Sequence, residues 1–547
     1  MKIITYPALV LGSGAAGFNA ACRLKERGIN VAIVTDGIHR GTSRNAGSDK
    51  QTYYKLNLGG KGADSVRQMA EDLFRGGSTD GDTALCEAAE STRCFMRLCE
   101  LGVPFPTNAY GEYIGYKTDH DPYARGTSAG PLTSRYMTEK LEEWAKTLEI
   151  PVLDGYRAVE LLKKEERLCG FLAVKEGETV AFRCADLILA IGGPSTVYAD
   201  SVYPECHSGG LGLALKIGAT MQNLALWQYG LASVKPRWNV SGTYMQVLPR
   251  FISIDENGVE REFLQELPNA LSLVFLKGYQ WPYSEGRESS KIDRFVRLEK
   301  QKGRKIYLDF TQNPSVLDRF SLIPEAYDYL AKADALFGTP IDRLRKMNAP
   351  AIELYQSKGV DLTKEYLEIA LCAQHCNGGI AVDRNWRTSV AGLYAIGECA
   401  GTHGLARPGG AALNAGQVGG KRAAEEIARH PEKIIAEADF LPLLHTVSLP
   451  KENSDIQQKM SLIAGAVREK KAMEELLSSM DPAQDPALTQ AAVLTAMLEE
   501  TCDPATVQEL QFKDGRFTVR RRAVRPLPPL DDCFETVWRE YTERETT

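Results

Sequence analysis

The feature that most narrows what this chain can fold into is the position of three glycines near its start. Ile3 to Leu11 is a run of apolar and β-branched residues, Gly12-Ser13-Gly14-Ala15-Ala16-Gly17 interrupts it, and Phe18 to Arg27 has helical composition up to Gly28. Asn30 to Val34 then reads as a second buried strand. In a strand–helix–strand unit such a turn has three tasks: the tight reversal, close approach of backbone to a pyrophosphate, and close packing of helix on strand. The helix start adds free N–H groups and the positive end of its dipole. Gly12, Ser13, Gly14, Ala15, Ala16 and Gly17 are therefore expected against a dinucleotide. Asp36, 19 residues past Gly17, stands where an acid would bond ribose hydroxyls. A solvated turn aspartate is the competing reading, with Thr35 in the neighbouring place.

The 547 residues imply three to four domains at about 150 residues each. Residues 60–150 read as amphipathic helix broken by a Gly/Pro/Thr-rich loop, and Val152 to Val180 and Asp186 to Ile191 return to short strands. Alternation of this kind favours a parallel sheet. From Pro236 to about Pro350 the texture changes to mixed aromatics, charges and short runs such as Lys305 to Asp309, which suggests an inserted domain. The expected division is a first part of a cofactor domain at 1–235, a capping domain at 236–354, the second part of the cofactor domain at 355–431, and a mostly helical region at 432–547.

Two later segments argue for FAD over NAD, because the longer cofactor has to be threaded past further backbone. One is the strand ending Ala190-Ile191-Gly192-Gly193, and the other is Gly392-Leu393-Tyr394-Ala395-Ile396-Gly397-Glu398, whose acid is placed to take ribitol hydroxyls. Ala158 and Val159 in the strand region, and Gly410, Ala412 and Leu413 near the last glycine pair, complete the expected contact set.

The stretch Gln374-His375-Cys376-Asn377-Gly378-Gly379-Ile380, then Gly392 to Glu398, then His403-Gly404-Leu405-Ala406-Arg407-Pro408-Gly409-Gly410 resembles the flavoprotein family of fumarate reductase, the succinate dehydrogenase flavoprotein and L-aspartate oxidase. The order and spacing are similar to the family's His-x-x-Gly-Gly, Gly-Leu-Tyr-Ala-x-Gly-Glu and His-Gly-x-x-Arg-x-Gly-Gly motifs. The resemblance covers most of residues 1–427. It implies an α/β fold: a Rossmann-like FAD-binding domain, its parallel sheet crossed by a β-meander, with an inserted α+β capping domain and a C-terminal helical region. It also implies that His375 and Arg407 hold a substrate carboxylate over the flavin, with His403 nearby and Arg407 also counted among the cofactor contacts. A guanidinium grips a carboxylate bidentately, and cationic donors stabilise charge that builds on an enoate as hydride arrives.

Three departures matter. The family's His-Pro-Thr segment falls on Gly230-Leu231-Ala232, so Gly230 replaces one substrate-binding imidazole. The family's proton-donating arginine, counted back from Tyr307-Leu308-Asp309, lands on Ser289; Arg287, two residues earlier, is either that acid or a loop arginine. Where covalent members carry the flavin-linking histidine, this chain reads Gly41-Thr42-Ser43-Arg44-Asn45-Ala46-Gly47. FAD is thus expected to be non-covalent, with Thr42, Ser43, Arg44, Asn45, Ala46 and Gly47 near its pyrophosphate. A substrate with one carboxylate or a larger body fits these changes better than a C4-dicarboxylate.

Charge and cysteine use bound the setting. Lys plus Arg total 65 against 71 for Asp plus Glu, a net charge of −6, so no chain-wide attraction to nucleic acid is offered. The 12 cysteines are scattered without a Cys-x-x-Cys pair, which fits reduced thiols in a cytoplasm and gives no metal site. No apolar run reaches the 18 residues of a membrane span. The expected activity is hydride transfer between FAD and the Cα–Cβ bond of a small organic acid. Alternatives are an L-aspartate-oxidase-like enzyme acting on a C–N or C–O bond, or a flavoprotein component that passes electrons within a soluble complex. An electron-donor protein stays open as a partner.

Overall fold

The computed structural model describes residues 1–529 and 538 apart from Lys61, Asp119, 316–321, 451–453 and Gln484. Its centre is a five-stranded parallel sheet. Ala8–Leu11 lies in the middle, with Asp186–Leu189 and then Leu393–Ala395 on one side, and Val31–Thr35 and then Val152–Asp154 on the other. All residues of Ala8–Leu11, Val31–Thr35 and Asp186–Leu189 are buried. Strands covered on both faces read as continuous apolar runs without alternation, which is how the sequence presents them.

The crossover from Val152–Asp154 to Asp186–Leu189 is an antiparallel meander of Arg157–Lys164, Arg167–Lys175 and Glu178–Arg183. Lys2–Thr5 joins the last of these in parallel. Behind the first turn, helix Ala15–Glu26 packs on helix Ala411–Arg429. Asn19 Nδ2 donates to Gln417 O (2.8 Å) and Gln417 Nε2 donates to Ala15 O (3.2 Å), so each helix satisfies a backbone carbonyl of the other in a buried setting.

A second lobe has its own core, in which Tyr244, Phe251, Leu308 and Tyr355 are buried together. It is built on a six-stranded sheet in the order Trp238–Asn239, Trp227–Ser233, Leu367–Cys376, Lys305–Asp309, Arg250–Ile254, Glu260–Arg261. The sheet therefore extends past positions 236 and 354 on both sides. Helix Pro340–Ser357 kinks at Asn348, two residues before Pro350, where the ring of a proline cannot continue the helical hydrogen bonding.

The region from 432 holds helices Ser454–Ile463, Lys470–Ser478 and Ala487–Leu498. Its described part then ends in a hairpin, Thr506–Lys513 with Arg516–Ala523, which pairs with Met221–Gln222. Residues 530–537 and 539–547 of this region lie outside the described residues. The basic run on the hairpin meets acids of its own chain: Arg522 lies 2.7 Å from both Asp80 and Glu509, and Arg525 2.9 Å from Asp82. No helix among the described residues is long and apolar enough to cross a membrane.

Candidate active site

A cavity of about 910 Å³ opens where the two lobes meet, near the upper end of the usual range for ligand sites, about 300–1,000 Å³. The first glycine turn forms one wall. Gly12 has φ +115°, and a Cβ there would lie 2.3 Å from Ala190 O, so only glycine lets the two backbones meet. Around it Ser13 Oγ bonds Thr35 Oγ1 at 2.9 Å, and Asp36 Oδ2 accepts from Ser208 Oγ at 2.5 Å. Gly14, Ala15, Ala16, Thr42, Ser43, Ala46, Gly47, Ala158, Ala190, Ile191 and Gly192 line the same cavity. So do Gly397, Glu398, Gly410, Ala412 and Leu413 from the later segments.

Several expected residues are elsewhere. Arg44 turns into the protein, pairing with Glu142 and standing 6.0 Å over the Phe18 ring; a long cation beside a buried carboxylate has no reason to swing toward the turn. Asn45 Nδ2 donates to His39 O (2.7 Å) and Gly41 O (3.0 Å), closing its own loop. Val159 packs with the cluster around Phe440. Gly17 sits behind the turn, where a Cβ would be 2.1 Å from Gly12 O, and a Cβ on Gly193 would meet Tyr203 and Glu398.

At the second lobe the wall carries His375, Arg407, Gln374 and Trp281. His375 lies opposite Gln228 on the neighbouring strand, next to an irregularity in register between Gln228 and Tyr229 that re-aims side chains locally. Arg407 Nε and Nη2 donate to Gln228 Oε1 at 2.9 and 2.6 Å. Asn377 Nδ2 donates to Gly404 O (2.7 Å), so its Oδ1 accepts from His375 Nδ1–H at 2.9 Å. His375 Nε2 keeps its lone pair, is buried without a hydrogen-bond partner, and stands 3.7 Å from Glu398 Oε1. His403 lies against it, ring centroids 5.2 Å apart, and its Nε2 is likewise buried and unpartnered. Arg287 stands one layer back, its Nη1 donating to Trp281 O at 3.2 Å.

Burial, reinforced by the Arg407 charge, holds both imidazoles well below the usual histidine range, so both are neutral in the free protein. Burial pushes Glu398 up to about 7, against the opposing hydrogen bonds that its Oε1 receives from Tyr203 and from Cys376 N–H. A carboxylate entering this pocket would find a fixed guanidinium and the His375 imidazole short of a proton, with His403 behind it. His207 is absent from the expected site residues, yet it lines the cavity. Its Nε2–H donates to Ile191 O (2.6 Å), leaving Nδ1 to accept from Thr42 (2.9 Å). Gln228, Trp281 and Gln374 are absent from them too: strand pairing across the chain places Gln228 and Gln374, and Trp281 reaches them from a loop, bonded to Gln374.

The cradle fits a dinucleotide flavin. Helices Ala15–Glu26 and Ala411–Arg429 both begin at a glycine that has no side chain to cap them, Gly14 and Gly410, and both glycines face the cavity; at the first, Ser43 Oγ takes the Ala15 N–H (3.2 Å). Such helix starts present N–H donors and positive dipole ends to phosphate or to an electron-rich ring.

Comparison with known proteins agrees. A family model described as an FAD binding domain matches residues 8–413. L-aspartate oxidase of Agrobacterium fabrum is 24% identical, over 94% of this chain and 93% of its own length. A fumarate reductase (CoM/CoB) chain of Methanothermobacter marburgensis is 26% identical over 87% and 84%. Among solved structures, the Mycobacterium smegmatis Sdh1 complex in the apo form superposes with a TM-score of 0.70 at 19% identity, covering 97% of this chain and 96% of that one. The FrdA chain of E. coli quinol fumarate reductase gives 0.67 at 17% identity, covering 97% and 99%. These structural likenesses concern the fold.

Proposed function

This chain belongs to the FAD binding domain family and is an FAD-dependent oxidoreductase, and from that premise we propose that it reduces, or by dehydrogenation introduces, the Cα=Cβ double bond of a small organic acid whose carboxylate is held by Arg407 and His375. Bound in the cradle, FAD supplies the two-electron redox chemistry. The observation that carries the reading is the pairing of the fixed Arg407 guanidinium with the unpartnered Nε2 of His375 on one cavity wall. Arg407 holds the carboxylate plane, while His375, oriented by Asn377, takes up a proton and donates from Nε2. Glu398, with a pKa of about 7, is a proton reserve 3.7 Å from that nitrogen. The second lobe acts as a cap that excludes water from the polar cluster.

FAD is taken to be held non-covalently. Arg44 stands where covalent relatives in the resembling family carry histidine, and both ring nitrogens of His207 are already engaged. Acid precipitation should leave a colourless pellet; a yellow one defeats this assignment. The eleven described cysteines are free thiols, which supports a reducing cytoplasmic setting.

The deciding experiment is anaerobic. The flavin is reduced, a panel of enoates is added, and reoxidation of its absorbance is followed. Reoxidation that disappears in Arg407→Ala supports the reading; no response to any enoate defeats it. The L-aspartate oxidase relative keeps oxidation of a C–N bond as a second reading, distinguished by peroxide release in air with an amino acid substrate.

A further inference from the structure

We propose that the acid is a monocarboxylate bearing an aromatic ring, an aryl-substituted enoate or its saturated counterpart. This deepens the carboxylate-clamp reading above and rests on it.

The place of a second carboxylate holder is physically filled. A Cβ on Gly230 would lie 2.8 Å from Trp281 Cδ1, Trp281 Nε1 and Gln374 Nε2, so the strand there carries no side chain and the indole occupies the space. Trp281 Nε1 donates to Gln374 Oε1, and Gln374 Nε2 donates to Leu231 O at 3.1 Å. With those polar atoms spent on each other, this wall offers a ligand mainly aromatic surface. Arg407 lies 5.6 Å over the Trp281 ring, so the cationic clamp and the aromatic wall adjoin.

Three tyrosines extend that surface. Tyr116, Tyr279 and Tyr329 line the cavity and leave 37%, 38% and 39% of their area uncovered. Each hydroxyl is engaged: Tyr116 with Thr52 (2.7 Å), Tyr279 with Glu325 (2.8 Å), and Tyr329 with Gln246 (3.2 Å). With the hydroxyls so engaged, what these side chains offer a ligand is their rings, and ring surface on a cavity wall favours stacking with a planar apolar body. Lys50 and Lys117 also line the cavity but are exposed; a hydrated ammonium on a flexible stem is a weak anchor for a second carboxylate.

The test uses the oxidised holoenzyme, titrated with cinnamate, 3-phenylpropionate, crotonate, fumarate and succinate while the flavin spectrum is followed. The two phenyl acids should bind at least tenfold more tightly than crotonate, fumarate or succinate. Tyr279→Ala and Tyr329→Ala should reduce that advantage severalfold while leaving crotonate unchanged. Fumarate binding as tightly as cinnamate, or crotonate doing so, overturns the proposal. A turnover assay with reduced viologen separates the two levels. Reduction of fumarate or crotonate but not cinnamate overturns the aryl site and leaves the Cα–Cβ chemistry standing. Tight, ring-dependent binding without turnover supports the aryl site and defeats the chemistry.

Discussion

Asp49 of the FAD-binding lobe and Thr243 of the second lobe are locked together, Asp49 Oδ2 accepting both the backbone N–H (2.8 Å) and the hydroxyl (2.9 Å) of Thr243. Asn348, at the helix kink, donates to the same Thr243 hydroxyl oxygen at 2.9 Å. Both Asp49 and Thr243 are buried, so Asp49→Ala strands two donors in a dry interface at a cost of about 1–3 kcal/mol each. Asp49→Asn, which keeps an acceptor, should cost less. Urea denaturation with excess FAD measures both; equal losses would show that the pair contributes little.

Arg407→Lys is not a conservative change here, because the Arg407 fork already spans Gln228 with two N–H groups and an ammonium cannot reproduce that plane. Carboxylate ligands should bind at least tenfold more weakly, as read from flavin perturbation. An unchanged dissociation constant would remove Arg407 from the clamp.

Gly12→Ala should purify without flavin, since its Cβ would sit 2.3 Å from the Ala190 carbonyl and its φ is +115°. Gly28 also has a positive φ, +78°, but nothing lies within 4 Å of its Cβ position. Gly28→Ala should therefore retain FAD and lose only about 1 kcal/mol of stability. Flavin-to-protein absorbance ratios decide the comparison.

Affinity for a carboxylate should rise as pH falls. His375 and His403 are held neutral by burial and by Arg407, with pKa values below the usual 6.5. An anion beside them favours the charged imidazole and draws in a proton. Between the pKa of the free protein and the higher pKa of the complex the dissociation constant should then grow up to about tenfold per pH unit. A titration series from pH 6 to 9 that shows a flat dissociation constant would mean that neither histidine protonates on binding.

Glu87 is buried with Oε1 unpartnered, and burial pushes its pKa from 4.5 to about 8. A carboxyl whose folded pKa is raised stabilises fully below its unfolded value, and that stability is lost as pH climbs from about 4.5 toward 8, at up to about 1.4 kcal/mol per unit. Glu87→Gln removes the titration. The advantage of the variant over the parent should be larger at pH 8 than at pH 5 in urea melts, and an equal difference at both pH values would exclude this linkage.

The parts of the molecule that could be read from residues alone are those fixed by local backbone demands. The Gly12 turn, the buried strand at Ala8–Leu11 and the Leu393–Ala395 strand before Gly397 need particular residue types within a few positions, whatever the rest of the chain does. Gln228 and Trp281 are different. Gln228 gains its role because its strand pairs with Leu367–Cys376 across 140 or so positions, with a register irregularity between Gln228 and Tyr229, and Trp281 gains its own from a loop that meets Gln374 and Gly230 of those strands; no nearby residue encodes either contact. Arg44 illustrates the same limit: its partner Glu142 lies on a helix 98 residues away, and a short motif cannot reveal such a competitor. The hairpin at 506–523 alternates by twos only at the start of each strand, over Thr506 to Glu509 and Arg516 to Arg520, and Thr506–Lys513 loses the pattern at Leu510, where it lies beside Met221–Gln222.

The clasp between Asn19 and Gln417 joins positions 398 apart, and this has a consequence for how the protein is made. The ribosome releases the first glycine turn early, but the helix that backs it emerges only after Arg429. At roughly 5–20 residues per second, the interval is about 20–80 s. Throughout that time the nascent N-terminal unit has no wall from Gly397 to Leu413 to close on a flavin, so cofactor capture belongs to the finished or nearly finished polypeptide. Nutritional shortage of flavin would then be felt by this enzyme as a pool of full-length apoprotein rather than as stalled fragments.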